Sequence, residues 1–448
     1  MIKKFKFEIF YFFIYSFLLF KFTNSIGLMD DLIFKFGSKR FNYNADFLKL
    51  EYYSGGFKIL YPFQIWLQGI PLREFENELI YYIFNLIILF LILYLGSAVL
   101  NKYISIDKNI FYLVIFTFPY FTDFVLHPSL QEKYIFLVFF LLLYLFQEND
   151  KNYSKYLIIS LSFLLPFVKI QAVPLLIVFF IFCLKNNFDT NSLYYFFPML
   201  FACFIVFVAF LNGSGYHSNK IKQGFSIENY ISNFFSTQSI FILFVTFLIT
   251  FLNFKYKKND FLYSILLYNI LLLVLLPFVN NFANYLYSIY SIPLGIVVAG
   301  IFDIFSKNIR QIARTILITV CIFSNVLFFL PKLERWYDLG QLIENLNNNI
   351  YNEDILYTCK EGTEVLNQIQ NNKILFFSEE VSNSSFDKIN KQNFIFISDT
   401  FSCNNIESSL IKNCLEDFEF NDFYTEYERI YLKKFLNCNI IIIYFNAI

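Results

Sequence analysis

Two adjacent carboxylates, Asp30 and Asp31, follow the first apolar stretch of the chain. A carboxylate in such a place can take the proton from an attacking hydroxyl, and a pair can hold a hard divalent cation through oxygen. Adjacent residues do not share one helix face, so at most one of the two aims directly at a reacting group. The plain alternative is a solvated pair of loop acids. Other polar residues collect where apolar spans end. Asp123, His127, Glu132 and Lys133 lie at one junction, Lys169 and Gln171 at a second, His217, Lys220 and Lys222 at a third, and Asn280, Asn281 and Asn284 at a fourth. Lys169 is flanked by Phe167, Val168 and Ile170, with Pro166 and Pro174 nearby. A lysine in so apolar a setting meets an anion or snorkels to the surface. Cations of this kind suit an anionic ligand. His127 precedes Pro128 and also reads as a helix-end residue; His217, Lys220 and Lys222 also read as solvated loop.

These residues need elements that bring them to one place, and the composition says what the elements are. Of 448 residues, 57% are hydrophobic and 22% aromatic, and the mean hydropathy is +0.52. A soluble domain holds roughly 45–50% apolar residues. Apolar runs recur at 5–22, 79–100, 110–126, 133–146, 156–168, 171–184, 193–211, 238–254, 261–279, 285–302 and 312–330. They predict an α-helical polytopic membrane protein with about eleven transmembrane helices. The pair 156–168 and 171–184 is short for two crossings, so a single tilted helix or a re-entrant hairpin is the alternative.

Charge decides the topology. With the N-terminus inside, the inner segments carry fourteen Lys and Arg, and the much longer outer loops carry eight. This is the positive-inside bias, and it holds along the later loops only if 156–184 crosses twice. Lys3, Lys4 and Lys6 before the first span also suit a signal peptide, but no small-x-small cleavage site follows. An odd number of crossings then puts residues 331–448 outside, together with the loop 23–78 and every polar cluster named above. Ionisable residues gathered at one membrane face are a site hypothesis.

The chain thus divides into a transmembrane domain, 1–330, and a C-terminal extracytoplasmic domain, 331–448. In the latter, Asp354–Thr358, Lys373–Phe377 and Phe394–Ser398 read as short strands, and 361–371 and 405–414 between them as helices. That alternation predicts a small α/β domain. Asn439–Phe445 has strand character and is too short to span a membrane. Cys183, Cys203 and Cys321 lie in apolar spans, as small hydrophobes do. Cys359, Cys403, Cys414 and Cys438 lie in the polar domain without zinc-ligand spacing, and an oxidising compartment suits disulfides among them. The formal net charge is zero, so no bulk field points to nucleic acid.

The arrangement resembles the GT-C glycosyltransferases, integral membrane enzymes that take a sugar from a polyprenyl-phosphate carrier, and within them the protein mannosyltransferase and lipid A aminoarabinose transferase-like family. Three segments carry the resemblance. Met29-Asp30-Asp31-Leu32 is similar to the acidic pair in the family's first extracytoplasmic loop. Leu164-Leu165-Pro166-Phe167-Val168-Lys169-Ile170-Gln171-Ala172 is similar to a Lys-Pro or Lys-Gly turn between mid-chain helices. Asn284-Tyr285-Leu286-Tyr287-Ser288-Ile289-Tyr290-Ser291-Ile292-Pro293-Leu294 is similar to a late Arg-Tyr-Leu segment that ends in proline, with Asn284 where relatives carry Arg.

The resemblance implies transfer of a hexose or pentose from a polyprenyl-phosphate sugar donor to a lipid, glycan or protein, in a cell-envelope setting such as the bacterial plasma (inner) membrane. It implies Asp30 as base, Asp31 in support, and Lys169 with His127 and Lys133 at the donor phosphate. A divalent metal, Mg or Mn, bridging Asp30 or Asp31 to phosphate is compatible with the acid pair; some relatives need none. Two rival readings remain open. A lipid-linked polysaccharide polymerase or ligase usually places a large loop between late spans instead of a terminal domain. A transporter or flippase places ionisable residues near the bilayer midplane and often shows inverted repeats.

Overall fold

The computed structural model describes residues 6–22, 67–75, 77–128, 130–147, 152–169, 171–185, 192–212, 227–278, 284–330 and 333, and five strands between 355 and 445. Its helices are α1 (Lys6–Phe22), α2 (Ile70–Glu74), α3 (Glu78–Leu100), α4 (Lys108–Thr117), α5 (Phe121–Leu126), α6 (Glu132–Gln147), α7 (Asn152–Val168), α8 (Ala172–Lys185), α9 (Ser192–Asn212), α10 (Ile227–Phe234), α11 (Thr237–Leu252), α12 (Asp260–Leu275), α13 (Ser291–Ile301) and α14 (Lys307–Ser324). Each apolar run of the sequence falls on helix. Among the described residues, four stretches are long and apolar enough to cross a membrane: Glu78–Leu100, Thr237–Lys257, Leu286–Ile304 and Lys307–Phe329. The other apolar helices are shorter.

Two of the runs that depart from simple helices do so beside a proline. The run 110–126 breaks at Phe118-Pro119-Tyr120 into α4 and α5. Phe118 is extended, as the residue before a proline prefers. The run 285–302 opens as a 3-10 helix, Asn284–Tyr290, and becomes α-helical at Ser291. Pro293 sits in the first turn of α13, where its missing N–H costs nothing. The segment 156–184 forms two helices, α7 and α8, joined by a turn at Lys169; Pro174 again falls in a first turn. The segment is therefore two separate helices and not a single tilted one.

Large apolar side chains fill the bundle. Leu86, Leu89, Ile110, Phe111, Phe116, Phe140 and Leu143 are buried. Glycine sets the closest helix approach. A Cβ at Gly295 of α13 would lie 2.6 Å from Cγ1 of Ile115 on α4, and one at Gly96 of α3 would strike the Phe140 ring of α6. By contrast, α14 is mostly exposed in the isolated chain, through Ile309, Ile312, Ile316, Ile322 and Phe323. An apolar surface so extensive is out of place in water and belongs against lipid.

Ion pairs mark one end of the bundle. Lys185 pairs with Asp260, and Arg314 with Asp107. Lys257 pairs with Asp303 at 2.6 Å and donates to the Gly300 carbonyl at 2.9 Å. The six paired charged residues lie in segments that the charge pattern assigns to the inner side. None of the pairs joins them to a residue assigned to the outer side, as alternating helices require.

The strands form a second unit, described here by itself. They are β1 (Ile355–Thr358), β2 (Lys373–Phe376), β3 (Phe394–Asp399), β4 (Tyr427–Phe435) and β5 (Cys438–Phe445). Their order is β2-β1-β3-β5-β4. β1 pairs with β2 and β3 in parallel, whereas β5 pairs antiparallel with β3 and β4. Four of these strands match the sequence reading within about a residue or two at each end; β4 was not foreseen. Its Tyr-Glu-Arg-Ile-Tyr-Leu-Lys-Lys-Phe pattern is broken by two lysines and a register shift between Arg429 and Tyr431. The helices expected at 361–371 and 405–414 lie outside the described residues.

Cys183, Cys203 and Cys321 are free thiols on helices. Cys359, Cys403 and Cys414 lie outside the described residues, and Cys438 opens β5. If the C-terminal domain faces an oxidising compartment, thiol labelling of unfolded, unreduced protein should find at least one pair among Cys359, Cys403, Cys414 and Cys438 blocked. Four reactive thiols would refute the disulfide.

Candidate functional site

At the opposite end from the inner ion pairs, buried polar residues converge. α6 begins there with Glu132 and Lys133, which are 1% and 0% exposed. Charges so deep persist only with partners. Lys169, in the turn between α7 and α8, donates to Oε1 of Glu132. Its side chain keeps 14% exposure, against 1% for that of Glu132. The second oxygen of Glu132 has no hydrogen-bond partner in the protein.

Lys133 turns the other way. Its ammonium donates to Oδ1 of Asn85 and, at 2.6 Å, to the Pro128 carbonyl. The Asn85 amide in turn donates to the Phe124 carbonyl at 2.8 Å and to the Val125 carbonyl at 3.2 Å. This chain ties α3, α5 and the start of α6 into one corner. His127 ends α5, with its Nε2 3.9 Å from Oδ1 of Asp123 one turn earlier. That separation suits a charge contact and is too long for a hydrogen bond.

Helices from later in the chain close the same end. The Tyr268 hydroxyl of α12 donates to the Gln171 carbonyl at 3.5 Å, and the phenol lies within electrostatic range of Glu132. Asn269, the next residue, is fully buried, and neither end of its amide finds a partner in the protein. The late segment is pinned nearby. The Tyr287 hydroxyl bonds the Ser236 and Ser239 hydroxyls at 2.5 and 2.9 Å, and its ring packs against Tyr120 at 5.3 Å.

Of the residues singled out from the sequence, the structure brings Lys169 and Glu132 into contact, turns Lys133 to Asn85 and Pro128, and sets His127 against Asp123. Gln171 joins through its backbone. Asp30, Asp31, His217, Lys220, Lys222, Asn280 and Asn281 lie outside the described residues. Among the described residues, no three His, Cys, Asp or Glu side chains converge as metal ligands. Sequence reasoning missed Asn85, Tyr268 and Asn269. Each is a polar residue inside an apolar run, which was the available signal, but in a chain rich in Asn and Tyr that signal is weak.

Fold and site together define a helical integral membrane protein with a buried polar cluster at one end of its bundle. The chain shares its fold with the crystal structure of ArnT from Cupriavidus metallidurans bound to undecaprenyl phosphate, at a TM-score of 0.58 over 99% of this chain and 98% of that one. The identity is 10%, so the likeness is one of fold. It agrees with the resemblance to GT-C glycosyltransferases drawn from the three short segments. No family model matches the sequence, and no curated protein does either.

Proposed function

We propose that the protein is an integral membrane glycosyltransferase. It moves a sugar from a polyprenyl-phosphate-linked donor to a lipid, glycan or protein acceptor on the extracytoplasmic face. The observation that carries this reading is the shared fold with ArnT over nearly the whole chain, a structure that holds a polyprenyl phosphate. The buried polar cluster supports it, since it lies at the end that the charge pattern turns outward.

In this reading eleven helices cross the bilayer, the N-terminus is cytoplasmic, and residues 331–448 form an extracytoplasmic α/β domain. Asp30 takes the proton of the acceptor hydroxyl. Lys169 meets the donor phosphate, which offers the ammonium a stronger charge than one carboxylate oxygen does. His127 and Lys133 set the shape and potential of the wall behind it; the buried ammonium of Lys133 reaches phosphate only if it leaves Asn85 and Pro128. Should Mg or Mn take part, Asp30 and Asp31 would hold it, and it would neutralise phosphate charge. The ion pair Lys169–Glu132 lies at helix ends and not at mid-helix, which favours an enzyme at the membrane surface over a transporter.

Two tests bear on this directly. A reporter fused after Lys332 should be active only outside the cytoplasm, and cytoplasmic activity would dissolve the common outer face. Purified protein given a polyprenyl-phosphate sugar and acceptor membranes should release the polyprenyl phosphate; an intact donor would count against transfer.

A further inference from the structure

We propose that Glu132 and Asn269, with Gln171 beside them, form a recognition site for the hydroxyl groups of the sugar carried by the lipid donor. This inference rests on the donor reading above and adds residues that bind the sugar to those that meet the phosphate.

Three facts point there. Oε2 of Glu132, Oε1 of Gln171 and both amide atoms of Asn269 are buried and have no partner in the protein. Glu132 and Asn269 are 1% and 0% exposed. The three residues come from α6, the α7–α8 turn and α12, and two contacts draw those elements together: Lys169 to Glu132, and the Tyr268 hydroxyl to the Gln171 carbonyl.

The chemistry of the set narrows the ligand. It offers three acceptor oxygens and one amide donor. Lys169 already balances the charge of Glu132, so the set is close to neutral. An anion would meet a carboxylate oxygen, and a hydrocarbon tail would leave every polar atom unsatisfied. A neutral group rich in O–H donors satisfies the acceptors and returns lone pairs to the amide. Sugar hydroxyls are such groups, and they would follow a phosphate seated at Lys169. Polar groups buried without partners weaken a fold, and such groups are often held for binding.

The test compares lipids with and without a sugar. Full-length protein in nanodiscs is titrated with undecaprenyl phosphate and with undecaprenyl phosphate carrying arabinose, glucose, galactose or mannose. Wild type should bind at least one glycosylated lipid about tenfold more tightly than the bare one, as two hydrogen bonds to the Asn269 amide allow. Asn269→Leu should erase that preference and hold bare-lipid affinity within about twofold. It should also raise the thermal midpoint, because two unpartnered polar atoms are replaced by a similar apolar volume. Gln171→Leu, at a half-buried turn, serves as a second variant should Asn269→Leu fold poorly. A preference that survives both substitutions, or no preference in wild type for any of the four sugars, overturns the inference. If wild type binds none of the lipids, the bare one included, the donor reading falls and this inference falls with it.

Discussion

Replacing Asp30 by Asn should nearly abolish sugar transfer while donor binding persists. Asn keeps the shape of the side chain and removes its capacity to accept a proton. General-base catalysis contributes about 10²–10⁴ in rate, so the loss should fall in that range. Asp31→Asn should be milder, unless a metal needs both acids. Transfer from a synthetic polyprenyl-phosphate donor, with the expression of each variant checked, measures the difference. Wild-type turnover in Asp30→Asn would remove Asp30 as base. Wild-type turnover in Asp31→Asn as well would reduce the pair to a solvated loop.

The second large effect is expected at Lys169. Loss of a charge-assisted contact to phosphate costs about 1.5–3 kcal/mol, or roughly 10–150-fold in affinity for undecaprenyl phosphate. The structure adds a complication that the sequence did not show. Lys169 also holds Glu132, which is 1% exposed. Lys169→Met would leave a buried carboxylate without its cation, and a broken buried pair typically costs about 3–5 kcal/mol of stability. The double variant Lys169→Met with Glu132→Gln removes both charges and should recover much of that stability. Binding of bare undecaprenyl phosphate should stay weak in both variants. Wild-type affinity in the double variant would show that the ammonium only snorkels or braces the bundle.

The helices were legible in the sequence because apolar runs long enough to span a bilayer have few other fates. Which segments share an end of the bundle was legible because Lys and Arg are distributed unevenly, and the ion pairs Lys185–Asp260, Lys257–Asp303 and Arg314–Asp107 join only residues that this bias had put together. The break at Pro119 was open to reading, since a proline ends helix at the residue before it. Strand β4 was hidden by Lys433 and Lys434, which interrupt its alternation.

The site was legible only as a set of residues. Lys169 announced itself by its apolar neighbours. Its pairing with Glu132 rests on where two helix ends meet 37 residues apart, which periodicity does not encode. Lys133 illustrates the same limit. From the sequence it stands behind Lys169 as a candidate for the donor phosphate, yet the first turn of α6 directs it inward to Asn85. Asn269 shows the opposite failure, because one Asn in an apolar helix carries no mark of being left without a partner.

The measurement that bears most directly on the central claim follows the fate of the donor lipid. Undecaprenyl phosphate carrying a radiolabelled sugar is incubated with purified protein in nanodiscs and with membranes of the source cell as acceptor. The glycosyltransferase reading predicts that label leaves the donor, appears in an acceptor fraction, and is matched mole for mole by free undecaprenyl phosphate, with none of this in Asp30→Asn. Donor that crosses between leaflets or stays bound with its sugar still attached would contradict the claim and identify a carrier.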